Sequence, residues 1–291
     1  MSRTTAPHDM QAKPAIHPNA RPWRPGALVS GALAVHAGAA AAVIATPAAV
    51  PWAAGGVIAS HLLLTAAGLW PRSTWLGPNL LALPPSAQGC VALTLDDGPD
   101  PELTPRVLDL LDRHQVRATF FCIGARAARH PDLVREIVRR GHAVENHSLD
   151  HRHHFSLFGP ARLMRDIGAA QQVLTELGGV APRFFRAPAG LRNPFLEPVL
   201  CRLGLHLASW TRRGFDTVAG GDADRVAARL LRGLAERDIL LMHDGNPGQD
   251  RAGRPLVLEV LPRVLQAIDR AGLRCVTLRD AVPAIAPAVT S

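Results

Sequence analysis

Tyrosine is missing altogether, and lysine occurs once, at Lys13. Every other basic side chain is arginine, and none of them cluster beyond residue 85. The formal charge of +8 is also unevenly placed, because Arg3, Lys13, Arg21, Arg24 and Arg72 stand against Asp9 alone before residue 86. A surface that tracks a phosphate backbone is therefore excluded, and no nucleic-acid partner is expected. Four cysteines in 291 residues exclude a disulfide-dense secreted scaffold. Cys122 and Cys275 in apolar strand-like runs, and Cys201 in a helical run, read as free buried thiols. Neither GxGxxG nor a P-loop follows the first strand-like run, which leaves a nucleotide fold without support. There is no internal repeat, and 47% hydrophobic with 19% charged residues excludes a disordered or fibrous chain.

Charge is also absent over one long stretch: no Asp, Glu, Lys or Arg occurs from Pro25 to Pro71. The segment TPAAVP, Thr46 to Pro51, divides it into an Ala-, Val-, Leu- and Gly-rich half (26–45) and a second half (52–70). Each is about the 20 residues that a helix needs to cross the hydrocarbon core. Trp23, Trp52, Trp70 and Trp75 flank the two halves, where indole rings meet headgroups. Two spans are expected. The alternatives are a signal peptide, for which the run is too long and starts too late, and one span followed by a surface-lying segment. Arg21 and Arg24 before the first span place the N-terminus in the cytoplasm, and a second span returns residue 72 and everything after it to that side.

From residue 89 the pattern changes to alternating strand and helix periods. Strand-like runs are 91–95, 118–123, 143–146, 184–186, 205–210, 239–242 and 274–278. Helical runs are 104–115, 132–140, 161–177, 195–203, 223–234 and 256–271. Strict alternation predicts a parallel sheet with helices outside it, either doubly wound or closed into a barrel. The chain thus divides into a basic tail (1–25), two transmembrane helices (26–71), a linker (72–88), an α/β domain (89–282) and a frayed tail (283–291).

Unusual polar residues fall where the strands end. Asp96 and Asp97 close the first, His147 and His151 follow the third, Arg186 ends the fourth, Asp216 follows the fifth and His243 ends the sixth. In such sheets the carboxyl ends of the strands gather on one face. The i, i+4 spacing of His147 and His151 suits one face of a helical turn. With Asp97 they form a two-histidine, one-carboxylate set that leaves room for water on a divalent metal. The histidine-rich stretch also reads as a solvated cluster, with His153 and His154 facing water, and Asp-Asp-Gly-Pro also reads as a plain turn. Adjacent carboxylates can divide labour, one on metal and one taking a proton, with Arg186 keeping the second ionised.

Taken together, TLDDGP (94–99), HSLDH (147–151), RAPAG (186–190), the segment from Trp210 to Asp216 and LMH (241–243) resemble the five motifs of the polysaccharide deacetylase family. This family is also called the NodB-homology or carbohydrate esterase family four group. The resemblance implies a distorted (β/α) barrel of about seven strands and metal-dependent removal of an N-acyl group from an amino sugar. It implies Asp96 as catalytic base, Asp97, His147 and His151 as ligands of zinc or a similar metal, and Arg186 as the partner that orients Asp96. His243 would protonate the leaving amine, and Asp216 belongs to the catalytic set. Leu241 would line the acyl pocket, and Pro188, Gly190 and Trp210 would contact substrate. Two positions depart from the pattern: Ala189 stands where tyrosine is common, and Thr217 where tryptophan is. Lost aromatic surface favours a small or lipid-linked amino sugar over a long glycan. Competing readings are an extracytoplasmic polysaccharide or peptidoglycan N-deacetylase on a single-span anchor, and an inactive glycan-binding protein.

Overall fold

The structure, a computed structural model, describes residues 19–283. The greater part of the basic tail and almost all of the C-terminal tail lie outside these residues. Helix α1 (Ala27–Ala45) starts one residue after Pro25-Gly26, and extended Thr46 ends it. A single 3₁₀ turn, Pro47–Ala49, leads into α2 (Val50–Leu69), with Pro51 in the first turn where its missing N–H costs nothing. The two helices pack as an antiparallel hairpin and bury little. Ala32, Ser60, Ala67 and Gly68 are their only buried residues, while Ile44 is 85% and Trp52 84% exposed. Both are long and apolar enough to cross a membrane.

Beyond the hairpin, elements alternate as β1 (Cys90–Asp96), α3 (Leu103–Arg113), β2 (Thr119–Cys122), α4 (Gly124–Arg129), α5 (Pro131–Arg139), β3 (Ala143–Asn146), α6 (Pro160–Gly178) and β4 (Phe184–Phe185). Then follow α7 (Leu196–Arg202), β5 (His206–Leu207), β6 (Arg212–Arg213), α8 (Ala223–Leu231), β7 (Ile239–His243), α9 (Leu256–Arg270), β8 (Arg274–Cys275) and α10 (Leu278–Ala281). Every strand pair is parallel, in the order β5-β4-β3-β2-β1-β7-β6, with β8 against the start of β1. This order forces the sheet to curl. Its two edges, β5 and β6, are consecutive in the chain, and Leu207 to Arg212 can span at most about 18 Å. Seven flat strands would set those edges about 29 Å apart. The result is a half-barrel left open between β5 and β6.

Alternation along the strands sorts the two faces. Val91, Leu93 and Leu95 of β1, with Leu240 and Met242 of β7, pack outward against α3, α8 and α9. Ala92, Phe121, Phe184, Ile239 and Leu241 pack inward with Trp210. The same period carries Asp96 and His243 to the inner face, paired across β1 and β7.

The structure corrects several details. Among the described residues the sheet has eight strands, because β6 is an additional two-residue element, and α4 is an additional helix after β2. Asp216 therefore follows β6. The last strand stops at Cys275, and Leu278 instead opens α10, whose Thr277 cap accepts the Asp280 N–H. Residues 72–88 are built into the fold. Leu76, Leu83 and Ala87 are buried, and Leu80 bridges to Ala208 beside β5.

Candidate active site

Asp96 ends β1 in extended geometry, and its neighbour Asp97 turns left-handed at φ 72. A short polar side chain tolerates that conformation, and the reversal sends two adjacent carboxylates in different directions. Gly98 then passes so close to Asp244 that a Cβ would overlap its carboxylate.

Asp97, His147 and His151 offer ligand atoms within 4.8 Å of one another. Asp97 Oδ1 lies 3.3 Å from His147 Nε2 and 3.2 Å from His151 Nε2. His147 Nδ1 is 2.8 Å from the Arg186 carbonyl oxygen. A carbonyl only accepts, so the proton sits on Nδ1 and Nε2 presents a lone pair. Asp97 Oδ1 is buried and has no hydrogen-bond partner. Lone pairs converging on one point, in a pocket from which water is largely excluded, fit a divalent cation. Burial, reinforced by His147, pushes His151 down to about 4, which favours the neutral, ligating form.

The histidines do not share a helical turn. Residues 147–151 form a loop in which Ser148 (φ 67) and His151 (φ 50) are left-handed. Asn146 Oδ1 accepts the Ser148 N–H at 2.9 Å, Ser148 Oγ accepts the His151 N–H at 3.0 Å, and Asp166 accepts the Leu149 N–H at 3.1 Å. The loop, rather than i, i+4 geometry, brings the rings together, with centroids 4.8 Å apart. His153 and His154 are exposed.

Arg186 follows β4 and is 1% exposed. It donates to Asp96 Oδ1 at 2.7 Å, Thr94 Oγ1 at 2.8 Å, and the carbonyls of Ala208 and Ser209 at 3.1 and 2.7 Å. Its guanidinium sits 4.0 Å above the Phe121 ring. Burial lowers its pKa, and Asp96 opposes that. This clamp leaves Asp96 Oδ2 facing the centre, 3.9 Å from His147 Nε2. On the other flank, Asp216 accepts from His243 Nδ1 at 2.9 Å and from its backbone N–H at 2.8 Å. Burial disfavours the imidazolium of His243, but the Asp216 charge prevails and raises its pKa. Leu241 and Trp210 pack together on the inner face. Pro188 and Gly190 form the turn after Arg186, and Gly190 (φ 74) lets Trp210 and Pro71 approach its backbone. All the residues singled out from the sequence thus collect at one end of the half-barrel.

Sequence reasoning missed three groups there. Asp244 is fully buried, accepts from Thr104 Oγ1 at 2.6 Å, and is pushed up to about 7 by burial. Its signal was its position directly after His243. Arg126 donates to the Asp97 carbonyl at 2.9 Å and to Asn246 at 2.7 Å, from the helix that the periodicity did not reveal. Phe215, 47% exposed beside Asp216, offers aromatic surface two residues before Thr217.

Residues 84–208 match the model of the polysaccharide deacetylase family. A chitooligosaccharide deacetylase of Bradyrhizobium sp. (strain ANU 289) is 34% identical over 189 residues, covering 62% of this chain and 85% of the relative. The chain belongs to this family. A peptidoglycan-N-acetylglucosamine deacetylase of Bacillus cereus is 32% identical over 198 residues, 67% of this chain and 89% of its own length. Among solved structures, a family 4 acetyl xylan esterase from Clostridium thermocellum, in complex with a cobalt ion, superposes with a TM-score of 0.59 at 30% identity. That match covers 66% of this chain and 89% of the esterase. The fold of this polysaccharide deacetylase family member is the curled parallel sheet that its solved relatives share.

Proposed function

We propose that the protein is a membrane-held, metal-dependent hydrolase that removes an N-acetyl group from an amino sugar, with a lipid-linked sugar as substrate. The observation that carries the reading is the Asp97–His147–His151 set, its first two members buried, beside a second carboxylate, Asp96, clamped by Arg186. These three residues would hold the metal, most suitably Zn²⁺. When bound, it supplies a Lewis acid for the acyl carbonyl and lowers the pKa of water. Asp96 Oδ2, left free by the clamp, accepts the proton of the attacking water. His243, charged through Asp216, gives its proton to the amine as the carbon–nitrogen bond breaks, and the products are acetate and the free amino sugar. Leu241 lines the acyl pocket, and Pro188, Gly190 and Trp210 shape the wall beside it. Acetate release from N-acetylated chitooligosaccharide by the zinc-loaded chain, abolished by a chelator and restored by metal, is the expected result. No release with any divalent metal, from soluble and lipid-linked sugars alike, would overturn it.

On this reading the hairpin holds the enzyme at a bilayer, with its catalytic domain in the cytoplasm. Supporting this, Arg21, which precedes α1, bonds the catalytic domain directly. Its backbone N–H donates to the Cys201 carbonyl at 2.9 Å, and its guanidinium pairs with Glu197 at 2.9 Å. Both flanks of the hairpin thus contact one domain, which supports an even number of spans. The charges of Arg21 and Arg24 support the cytoplasm as the side of both flanks. Cysteines introduced on loops of the domain should resist a membrane-impermeant thiol reagent in intact cells, while one at Ala48 should label. Prompt labelling of the domain would move the substrate outside.

A further inference from the structure

One cleft, of about 2050 Å³, does not contain the carboxylate–histidine centre. It lies between the hairpin and the outer face of the domain. Val29, Leu33, Leu64 and Leu69 line it from the hairpin, and Met164 of α6 and Phe195 line it from the domain. A small-molecule pocket measures about 300–1,000 Å³ and carries a few converging polar groups. This one is twice that size and mainly apolar, so it suits a long hydrocarbon chain.

Two further observations name the head of that chain. Arg165 of α6 and Arg202 of α7 both line the cleft, both are exposed, and neither has a hydrogen-bond or ion-pair partner among the described residues. Arg192 lines it as well. It is 4% exposed, and its Nε is buried without a partner. Three guanidinium groups with donors to spare complement a phosphate. The cleft is also lined by residues that follow the active-site loops in the chain. Ser156 and Leu157 on its wall lie shortly after His151 in the chain, and Arg192 to Phe195 begin two residues after Gly190. The Arg192 N–H donates to the Gly68 carbonyl at 3.1 Å, which ties that loop to the end of α2.

We propose that this cleft seats the hydrocarbon chain of a polyprenyl phosphate that carries the amino sugar, with its phosphate on Arg165 and Arg202. What becomes of the sugar rests on the deacetylase reading above; the lipid seat does not. One wall of the seat is built from the membrane helices, so the lipid enters from the plane of the bilayer without leaving it. Holding the carrier beside the site raises the effective concentration of the sugar.

The test uses the full chain in phospholipid nanodiscs and a polyprenyl phosphate with a diazirine in its chain. Crosslinks are expected on residues 160–178 and 61–69, competed by unlabelled polyprenyl phosphate and not by phosphatidylglycerol. Gly168→Leu fills the cleft where an added Cβ meets only Leu203, at 3.8 Å. Displacing two or more methylenes should cut crosslinking about tenfold or more. The double variant Arg165→Ala/Arg202→Ala should cut it by a similar factor. Unchanged metal content in both variants shows that the fold is intact. Equal competition by phosphatidylglycerol, or crosslinks confined to the outward faces of the hairpin, would overturn the proposal. Acetate release from soluble sugar without cleft crosslinking would sink the lipid seat and leave the deacetylase standing. Crosslinking without acetate release from any sugar would do the reverse.

Discussion

The hairpin and the β1–β7 pair are both built from apolar residues, yet they end in opposite environments. Every residue of β1 and β7 is buried between flanking helices and the inside of the half-barrel. The hairpin, no less apolar, leaves Leu62, Leu63, Ile58 and Trp52 exposed. The difference lies in where polar groups are allowed. The strands place Asp96 and His243 at their last positions, so that one buried end can do chemistry. The helices carry no formal charge and close their backbone hydrogen bonds internally, which is what hydrocarbon demands. Apolar surface of that extent needs a cover, which the proposed bilayer would supply, whereas the strands are covered by protein.

The largest effects should come from the buried end. His147→Ala or His151→Ala should abolish metal retention while the fold persists, because an open site cannot spare one of three ligands. Metal content of the purified variant checks this, and full occupancy would break the assignment. Asp96→Asn should keep the metal and lower turnover by about 10²–10⁴. Metal loss there, with retention in Asp97→Asn, would show the two roles reversed.

A charge in the hairpin should rank next. Leu63→Arg should cost about 2.5–3.5 kcal/mol of insertion free energy and shift protein out of the membrane fraction. The same change would be harmless on a water-exposed helix, so fractionation separates lipid cover from water. A smaller effect is expected from Asp216→Asn. Its charge raises the His243 pKa, and the proton needed on the leaving amine is lost as pH rises through that value. Removing the charge should move the basic limb of kcat/KM to lower pH by about one unit. The smallest effect should follow Arg21→Ala, which strips the partner from nearly buried Glu197. A loss of about 1–3 kcal/mol, read from thermal unfolding, would mark the contact that ties the hairpin's first flank to the domain.

Much of this was legible in the residues. The ends of strands announced where the site would gather, and the family resemblance divided the roles of Asp96 and Asp97. The pairing of Arg186 with Asp96 could be foreseen from charge alone. The loop of His147 and His151 could not, because two left-handed residues and the Asn146, Ser148 and Asp166 side chains shape it. The helix that supplies Arg126 escaped notice because six residues are too few to show a period.

By itself the sequence determined the uncharged hairpin, the strand–helix alternation and the identity of the reactive side chains, because these follow from local composition and period. Only the tertiary structure decided that the sheet curls until β5 and β6 become its two edges. It alone turned lone pairs from Asp97, His147 and His151 toward one point, docked Arg21 on Glu197, and opened an arginine-rimmed cleft along α6. Those features depend on contacts between residues far apart in the chain, and no window of sequence contains both partners.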